Sequence, residues 1–520
     1  MNAPPQVAVV GGGISGLAAA ALLARDGMDV ELFEQGELGG RAGRWAADGF
    51  RFDTGPSWYL MPEVFSRFFE LMGTSVEAEL DLIGLDPAYR VYYEDHPEPV
   101  DISARTADNL ATFEAIEPGA GARLGRYLAS AADTYDIAKR RFLYTSFTSP
   151  WDLARPDVLT RVHRLVPLLL RSLQSRIERD FADRRLQQIL GYPAVFLGTS
   201  PDRAPSLYHL MSALDLNGGV LYPDGGFARL IDVIAATARR AGVRIHTGAR
   251  VEAILTDDEG GGRVRGVRFR QGEQLLERAA RWVVAAADLH HVEHDLLDPR
   301  LRERSRRWWS RHDPGPGGVL VYLGVRGTVP QLAHHSLFFT RDWQRNFADI
   351  RMGRVPDPAS VYVCAPSKTD ASVAPAGDEN LFILVPVPAD PGIGRGGRDG
   401  GGDPAVERIA DAAIDLVADY ADIPDLRERI LLRRTSGPGD FADRFNSWRG
   451  GLLGPAHTLR QSAFFRTSNR SRRVEGLYFA GASTIPGVGL PMCLISAENV
   501  RDRIRSDRSR AAAPGRRSRS

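Results

Sequence analysis

Residues 7–10 are apolar at every position and stop at Gly11. A run this short, with no polar alternation, predicts a parallel strand buried on both faces. Residues 14–25 follow with mostly small and apolar side chains, which suits a helix laid closely on a sheet, and Gly27 supplies its C-terminal cap. A second apolar run at 30–33 ends at Glu34. Strand, helix and strand with short connections predict a βαβ unit.

From about residue 114 to 210 the apolar spacing turns helical. There, residues 161–185 carry seven arginines and three acids around the apolar block 165–170, where Pro167 kinks a helix or starts one. A turn at 221–226 leads into a helix over 227–241. Strands follow at 243–247 and 250–255, then a hairpin turn at 257–262, a strand at 264–270 and a buried strand at 282–286. Apolar runs at 319–325, 361–365 and 381–387 predict a second sheet. Residues 407–420 place Ile409, Ala413, Ile414, Leu416 and Val417 on one side of an amphipathic helix. The Gly-rich stretch 391–403 predicts a mobile loop, 477–480 a further strand, and the Arg-, Ser- and Ala-rich end 505–520 a disordered tail.

The length of 520 residues allows roughly three to four units at about 150 residues each. Basic and acidic residues balance at 66 against 65, so no global field draws the chain to nucleic acid, and no such partner is expected. Arginine supplies nearly all of the positive charge, Lys139 and Lys368 being the only lysines, so no single arginine is a signal by itself. Cys364 and Cys493 form no CxxC pair, which predicts a reducing cytoplasm and no disulfide. Residues 1–6 are too short and uncharged for a secretory leader, and no apolar run reaches the ~20 residues of a spanning helix.

Gly11, Gly13 and Gly16 form GxGxxG between the first strand and the first helix. The motif alone is weak. Its context, with Glu34 ending the next strand about 20 residues on, makes it a dinucleotide fingerprint. Gly11 permits the tight turn, Gly13 lets backbone approach a diphosphate, and Gly16 lets helix and strand pack closely. The backbone N–H groups at Ile14 and Ser15 open the helix toward the phosphates, and Glu34 is placed to take a ribose hydroxyl. Near the other end, residues 476–496 read GLYFAGASTIPGVGLPMCLIS. Gly481 and Ala482 are small enough to lie against a ring, Gly487 and Gly489 free the backbone, and Pro491 can open a helix whose positive end would point at that ring.

With Gly39-Gly40-Arg41 and Phe52-Asp53-Thr54-Gly55-Pro56, the N-terminal stretch resembles the flavoproteins that include amine oxidases, protoporphyrinogen oxidase and carotenoid desaturases. The C-terminal stretch resembles the signature of bacterial and fungal phytoene desaturases, except that Ile485 stands where that family often has a polar residue. Segments 197–201, 208–216, 219–223, 334–339, 357–366 and 380–388 extend the likeness over nearly the whole chain. The resemblance implies an α/β fold: a discontinuous Rossmann-like FAD-binding domain, a mixed-sheet substrate domain and a helical membrane-facing region. FAD-binding segments are expected at 1–105, 212–300 and 435–504, the helical region at 106–211 and the substrate sheet at 301–434, with the tail from 505. It implies FAD contacts at Gly40, Arg41, Gly55, Pro56, Val251, Gly481, Ala482, Val488, Gly489 and Leu490, besides the fingerprint residues. Asp53 is equally suited to forming a turn.

The activity implied is stepwise desaturation of a C40 polyene, phytoene toward lycopene. Hydride passes to flavin N5, and a proton leaves the neighbouring carbon. A second dinucleotide fingerprint is absent, so the expected acceptor is oxygen or a quinone rather than a nicotinamide. Other carotenoid oxidoreductases (a later desaturase, a ketolase, an isomerase) share the signature. A non-redox prenyl- or lipid-binding protein on the same fold is the alternative of another class. An all-hydrocarbon substrate needs an apolar tunnel rather than polar motifs, so no general base is assigned. His334 and His335 read as a surface turn, Tyr222 as packing, and no His, Cys or carboxylate cluster has metal-ligand spacing. A substrate confined to lipid implies peripheral contact with the inner face of the membrane, for which 161–185 is the candidate. Oligomeric state is left open.

Overall fold

The computed structural model describes residues 6–145, 162–257 and 262–512. A five-stranded parallel sheet carries the first βαβ unit at its centre. Its order is Leu477–Phe479, Trp282–Ala285, Val7–Val10, Val30–Phe33, Arg244–His246. Val7 stands opposite both Val30 and Trp282. Helix Ile14–Arg25 is buried from Ile14 to Leu23 because it packs between this sheet, helix Gly226–Arg240 and the last helix, Leu490–Ala512. Four alanines in succession at 18–21 keep it thin, and closely packed helices need that. Arg501 donates two hydrogen bonds of 2.8 Å to Asp26, tying the final helix to the end of the first. A three-stranded antiparallel meander, Ala249–Thr256, Val264–Gln271 and Gln274–Ala279, flanks the sheet. Its third strand is mostly exposed, so it had no apolar signature to read.

The second sheet has seven strands in the order Ile430–Ser436, Gly317–Val325, Glu379–Val387, Val361–Cys364, His335–Phe339, Tyr89–Tyr93, His96–Ile102. All neighbours are antiparallel except His335–Phe339 with Tyr89–Tyr93. One face is covered by helix Pro404–Tyr420 through Val406, Ala410, Ala413, Ile414 and Val417. The other face, with Leu320, Tyr322 and Phe382, meets Phe50 and Phe52 of the N-terminal segment. Gly324 is the notch in this contact: a Cβ there would lie 2.6 Å from the Phe50 ring. A buried Phe contributes about 1.5–3 kcal/mol by transfer, so this joint is a substantial part of what holds the two sheets together.

Four expectations change. Segment 1–105 does not lie wholly in the FAD-binding domain, since Tyr89–Tyr93 and His96–Ile102 pair into the second sheet. Stretch 391–403 is a clasp rather than a free loop: Gly396 N–H donates to Asp440, Gly397 N–H to Thr435 Oγ1, and Asp403 accepts from Arg395 N–H. Its glycines are there for close approach, as a Cβ on Gly396 would overlap the Thr435 carbonyl. The tail is helical through Ala512, because Tyr478 Oη donates to Asp507 at 2.6 Å and holds the last helix onto the sheet. In the apolar block, Leu168 is core, while Val166, Leu169 and Leu170 are exposed. Arg161, the side chains of 162–165, most of the 257–262 turn and residues 513–520 lie outside the described residues. No described helix is long and apolar enough to cross a membrane.

Candidate functional site

The glycine turn is built as its spacing demands. Gly11 adopts φ +104°, and its N–H bonds the Phe33 carbonyl at 2.8 Å. A Cβ on Gly16 would sit 2.0 Å from the Gly11 carbonyl oxygen, so glycine there is a packing requirement. Gly13 differs. Its φ is −71°, and the nearest atom to a Cβ would be the Gly39 oxygen at 4.0 Å. Nothing inside the protein demands glycine at 13, and the free space lies at the N-terminus of the first helix, where an anion is favoured. Glu34 accepts from the N–H of Gly12 at 2.6 Å and of Gly36 at 2.8 Å, which fixes its carboxylate at the rim of the turn. Val251 lies in the buried cluster beside Val10 and Phe33, on the meander strand that leaves this rim.

Gly39, at φ +110°, bridges Gly13, and its N–H bonds the Gly12 carbonyl at 2.9 Å, so the Gly39-Gly40-Arg41 turn lies along the fingerprint. Gly55 presses on it in turn, a Cβ there falling 2.1 Å from the Arg41 oxygen. Arg41 donates to Ser447 Oγ at 2.8 Å, while its buried Nε has no partner. Burial lowers its pKa, and Asp288 opposes that shift. A buried guanidinium so sparsely paired calls for an anion.

The two ends of the chain meet at Ser15, whose Oγ lies 3.0 Å from where a Cβ on Gly481 would be. Asn469 knits the C-terminal loop from beneath, donating to the carbonyls of Phe479 and Ile485. Arg466 donates to the carbonyls of Pro455 and Thr484; burial with those neutral acceptors lowers its pKa to about 10. Gly487 packs on the His457 ring, with a Cβ position 2.1 Å from it, and the Val488 N–H donates to His457 Nε2 at 3.1 Å. The proton of this imidazole therefore sits on Nδ1, which reaches Tyr208 Oη at 2.8 Å, and Tyr208 donates onward to Ser462. Burial holds His457 well below its usual pKa, hence neutral. Gly489, at φ +115°, precedes the last helix, and a Cβ on it would touch only Pro491 and Met492, at 3.9 Å; Ala482 and Leu490 pack on the same core cluster as the first helix.

Beyond Gly55 and Pro56, Ser57 bonds Tyr362 Oη at 2.6 Å and Trp58 stacks on His335 at 4.6 Å. Tyr89, Tyr192 and Phe196 complete an aromatic cluster around Trp58. His334 and His335 are buried, not a surface turn: their strand lies inside the second sheet. Burial keeps both neutral, drawing His334 down to about 3, and raises the Cys364 thiol to about 12. The Nε2 atoms of both histidines are without partners, at about 1–3 kcal/mol each for an unsatisfied buried group. Both cysteines are free and buried. Tyr222 donates to Asp370 at 3.1 Å and packs on His334. Asp53 accepts from the N–H groups of Phe227 and Ala228, capping helix Gly226–Arg240, and burial pushes its pKa up to about 6. A cleft of about 510 Å³, lined by polar groups such as Gln174, Asp202 and Arg351, shares no residue with this site.

Sequence patterns do not point to His457, Ser447, Asn469 or Arg466. Only His457 carries a usable signal, as one of 11 histidines close to a family-like signature.

Fold and site together define an FAD-dependent oxidoreductase: an acid at the end of the second strand, an open helix N-terminus, an under-paired arginine and a glycine loop from the far end of the chain. The chain belongs to the flavin-containing amine oxidoreductase family, whose profile matches residues 14–341. It is 41% identical over 505 residues to the carotenoid 3,4-desaturase of Haloarcula japonica, covering 96% of this chain and 98% of that one. With the zeta-carotene-forming phytoene desaturase of Myxococcus xanthus it shares 38% over 504 residues, 96% and 93% of the two chains. Among solved structures, an oxidoreductase from Methanosarcina mazei matches with TM-score 0.62 and 17% identity over 96% of this chain and all of that one. Cyclohexylamine oxidase from Brevibacterium oxydans matches with 0.58 and 15% over 98% and 100%, a likeness of fold alone.

Proposed function

We propose that the protein is an FAD-dependent carotenoid desaturase that introduces a double bond next to a conjugated polyene, with phytoene and its partly desaturated products as substrates. The observation that carries this is end-to-end similarity to carotenoid desaturases, combined with a site that fits FAD and presents an aromatic rather than a charged wall beside it. Bound FAD supplies a hydride acceptor. Glu34 holds the ribose, the N–H groups at Ile14 and Ser15 with Arg41 hold the diphosphate, and Gly481, Ala482 and Gly489 leave room for the ring. Trp58 and its neighbours align the polyene and exclude water, which is what hydride transfer over about 3–3.5 Å needs.

The first relative above is a 3,4-desaturase, which favours a second reading: action on an already coloured carotenoid. Co-expression in cells that accumulate either phytoene or lycopene, followed by chromatography of the pigments, separates the two. Product from neither strain by a flavin-loaded protein refutes both. Electrons leave to oxygen or a quinone. Val166, Leu169 and Leu170, exposed on helix Val162–Leu170, form the membrane contact at the inner face, with Arg171 beside them to meet lipid phosphate.

A further inference from the structure

The polar cluster beneath Trp58 has donors that the hydride chemistry does not use. His335 stands directly opposite Cys364 in the antiparallel pairing of two strands, and the Ala365 N–H bonds the carbonyl of His334. This register gathers His334, His335 and Cys364 so that one ligand atom from each lies within 4.8 Å of the others. All three are at least nine-tenths buried.

Each imidazole is held at one nitrogen by a hydroxyl. His334 Nδ1 is 2.7 Å from Thr369 Oγ1, and His335 Nδ1 is 2.8 Å from Tyr362 Oη. In each ring Nδ1 is occupied by a hydroxyl and the buried Nε2 has no partner. This is the arrangement of metal-binding imidazoles, whose second nitrogen is held by an outer partner. The Tyr362 hydroxyl is itself held by Ser57 at 2.6 Å, so the outer partner of His335 is also fixed.

We propose that His334 Nε2, His335 Nε2 and Cys364 Sγ form a binding site for one late first-row transition cation, of which Zn²⁺ is the representative. Two imidazoles and a thiolate are borderline-to-soft donors and discriminate against Mg²⁺ and Ca²⁺. Zinc takes nitrogen at about 2.0–2.1 Å and sulfur at about 2.3 Å, so the ligand atoms close by on the order of 1 Å, within reach of side-chain rotation. Three protein ligands leave one tetrahedral position open. Asp53 and Asp370 act electrostatically on Cys364 and His334 respectively, so negative charge is at hand to balance the cation. The site does not depend on the identity of the polyene. It would brace the middle of the second sheet against the segment that follows Pro56.

The test uses the full-length, FAD-loaded protein. Elemental analysis of protein made in zinc-supplemented medium should find one metal ion per chain. After chelation, titration with Co²⁺ should give tetrahedral visible bands and a thiolate-to-cobalt charge-transfer band. Cys364→Ser should abolish that band and weaken Co²⁺ binding at least about 100-fold, the upper end of what even an outer partner is worth. Thr369→Val, which touches only the outer nitrogen of His334, should weaken it about 10- to 100-fold. The flavin spectrum and circular dichroism establish that each variant is folded. A chelated, folded wild type that gives no charge-transfer band with Co²⁺ overturns the proposal, as does Co²⁺ binding that is the same in folded Cys364→Ser.

Discussion

Two glycines of one motif should respond oppositely to the same methyl group. At Gly13, φ −71° and ψ 174° suit alanine, and its Cβ would approach nothing closer than 4.0 Å. The apo-protein of Gly13→Ala should therefore stay within about 1 kcal/mol of wild type. Its methyl would stand where the diphosphate comes closest to backbone. Losing one hydrogen bond to a charged group costs about 1.5–3 kcal/mol, so FAD should bind about 10- to 150-fold more weakly. At Gly16, a Cβ 2.0 Å from the Gly11 oxygen overlaps backbone that has nowhere to go. Gly16→Ala should lose about 1–3 kcal/mol or more of apo-protein stability, as overpacking does. The assay pairs urea denaturation of flavin-stripped protein with flavin titration followed by fluorescence quenching. If Gly13→Ala binds FAD as wild type does, or unfolds as readily as Gly16→Ala, the placement of the diphosphate is wrong.

Glu34→Ala should weaken FAD by about 10- to 150-fold, on the same scale of about 1.5–3 kcal/mol, read by flavin content after gel filtration. Gly489→Leu should keep the fold but lose flavin and turnover, because a residue at φ +115° is strained and a leucine side chain would take up the room proposed for the ring; wild-type turnover would remove the proposed ring contact. Asp215 is buried against the hydroxyls of Tyr89 and Tyr192, and burial pushes its pKa up to about 7 from 3.8. The native state thus holds this proton more tightly than the unfolded chain. The stability this proton confers is full below about pH 4 and is lost as pH rises through about 7, with a slope of about 1.4 kcal/mol per pH unit in between. Asp215→Asn should flatten the fall in stability between about pH 4 and 7, and an unchanged slope in denaturant titrations would assign that fall to another group. Leu169→Ser with Leu170→Ser should reduce flotation with anionic liposomes, and undiminished binding by the folded variant would move the membrane contact off this helix.

The dinucleotide half of the site was legible because its chemistry is local. A tight turn, a close helix and an acid that ends the second strand must occur at fixed offsets along one βαβ unit, and Gly11, Gly16 and Glu34 sit there. The partners of Arg41 were not legible, since Ser447 is supplied about 400 residues later and the need for it arises only when the sheet closes. His334 and His335 were misplaced for the related reason that a histidine pair before a strand looks the same on an edge turn as in the middle of a sheet. Only the pairing with Val361–Cys364 decides between them. The clasp at 391–403 shows the limit of composition. Seven glycines between 392 and 402 signal conformational freedom in isolation, yet Gly396, Gly397 and Gly402 are there because neighbouring backbone comes too close for a side chain.

The parallel sheet that holds the fingerprint takes an edge strand from Leu477–Phe479, and Ser15 meets its loop partner only at Gly481. On the ribosome, the glycine turn therefore emerges long before the strand and loop that finish its pocket. Domains normally fold as units in order of synthesis, but here no N-terminal portion comprises the unit. A nascent chain cannot close around the nucleotide before this strand and loop have emerged, so flavin capture follows their synthesis. A chain cut short before Leu477 would leave the strand Trp282–Ala285 as an unsealed sheet edge, exposed to other chains. Cofactor supply then acts on finished molecules, selecting those whose two ends have already met.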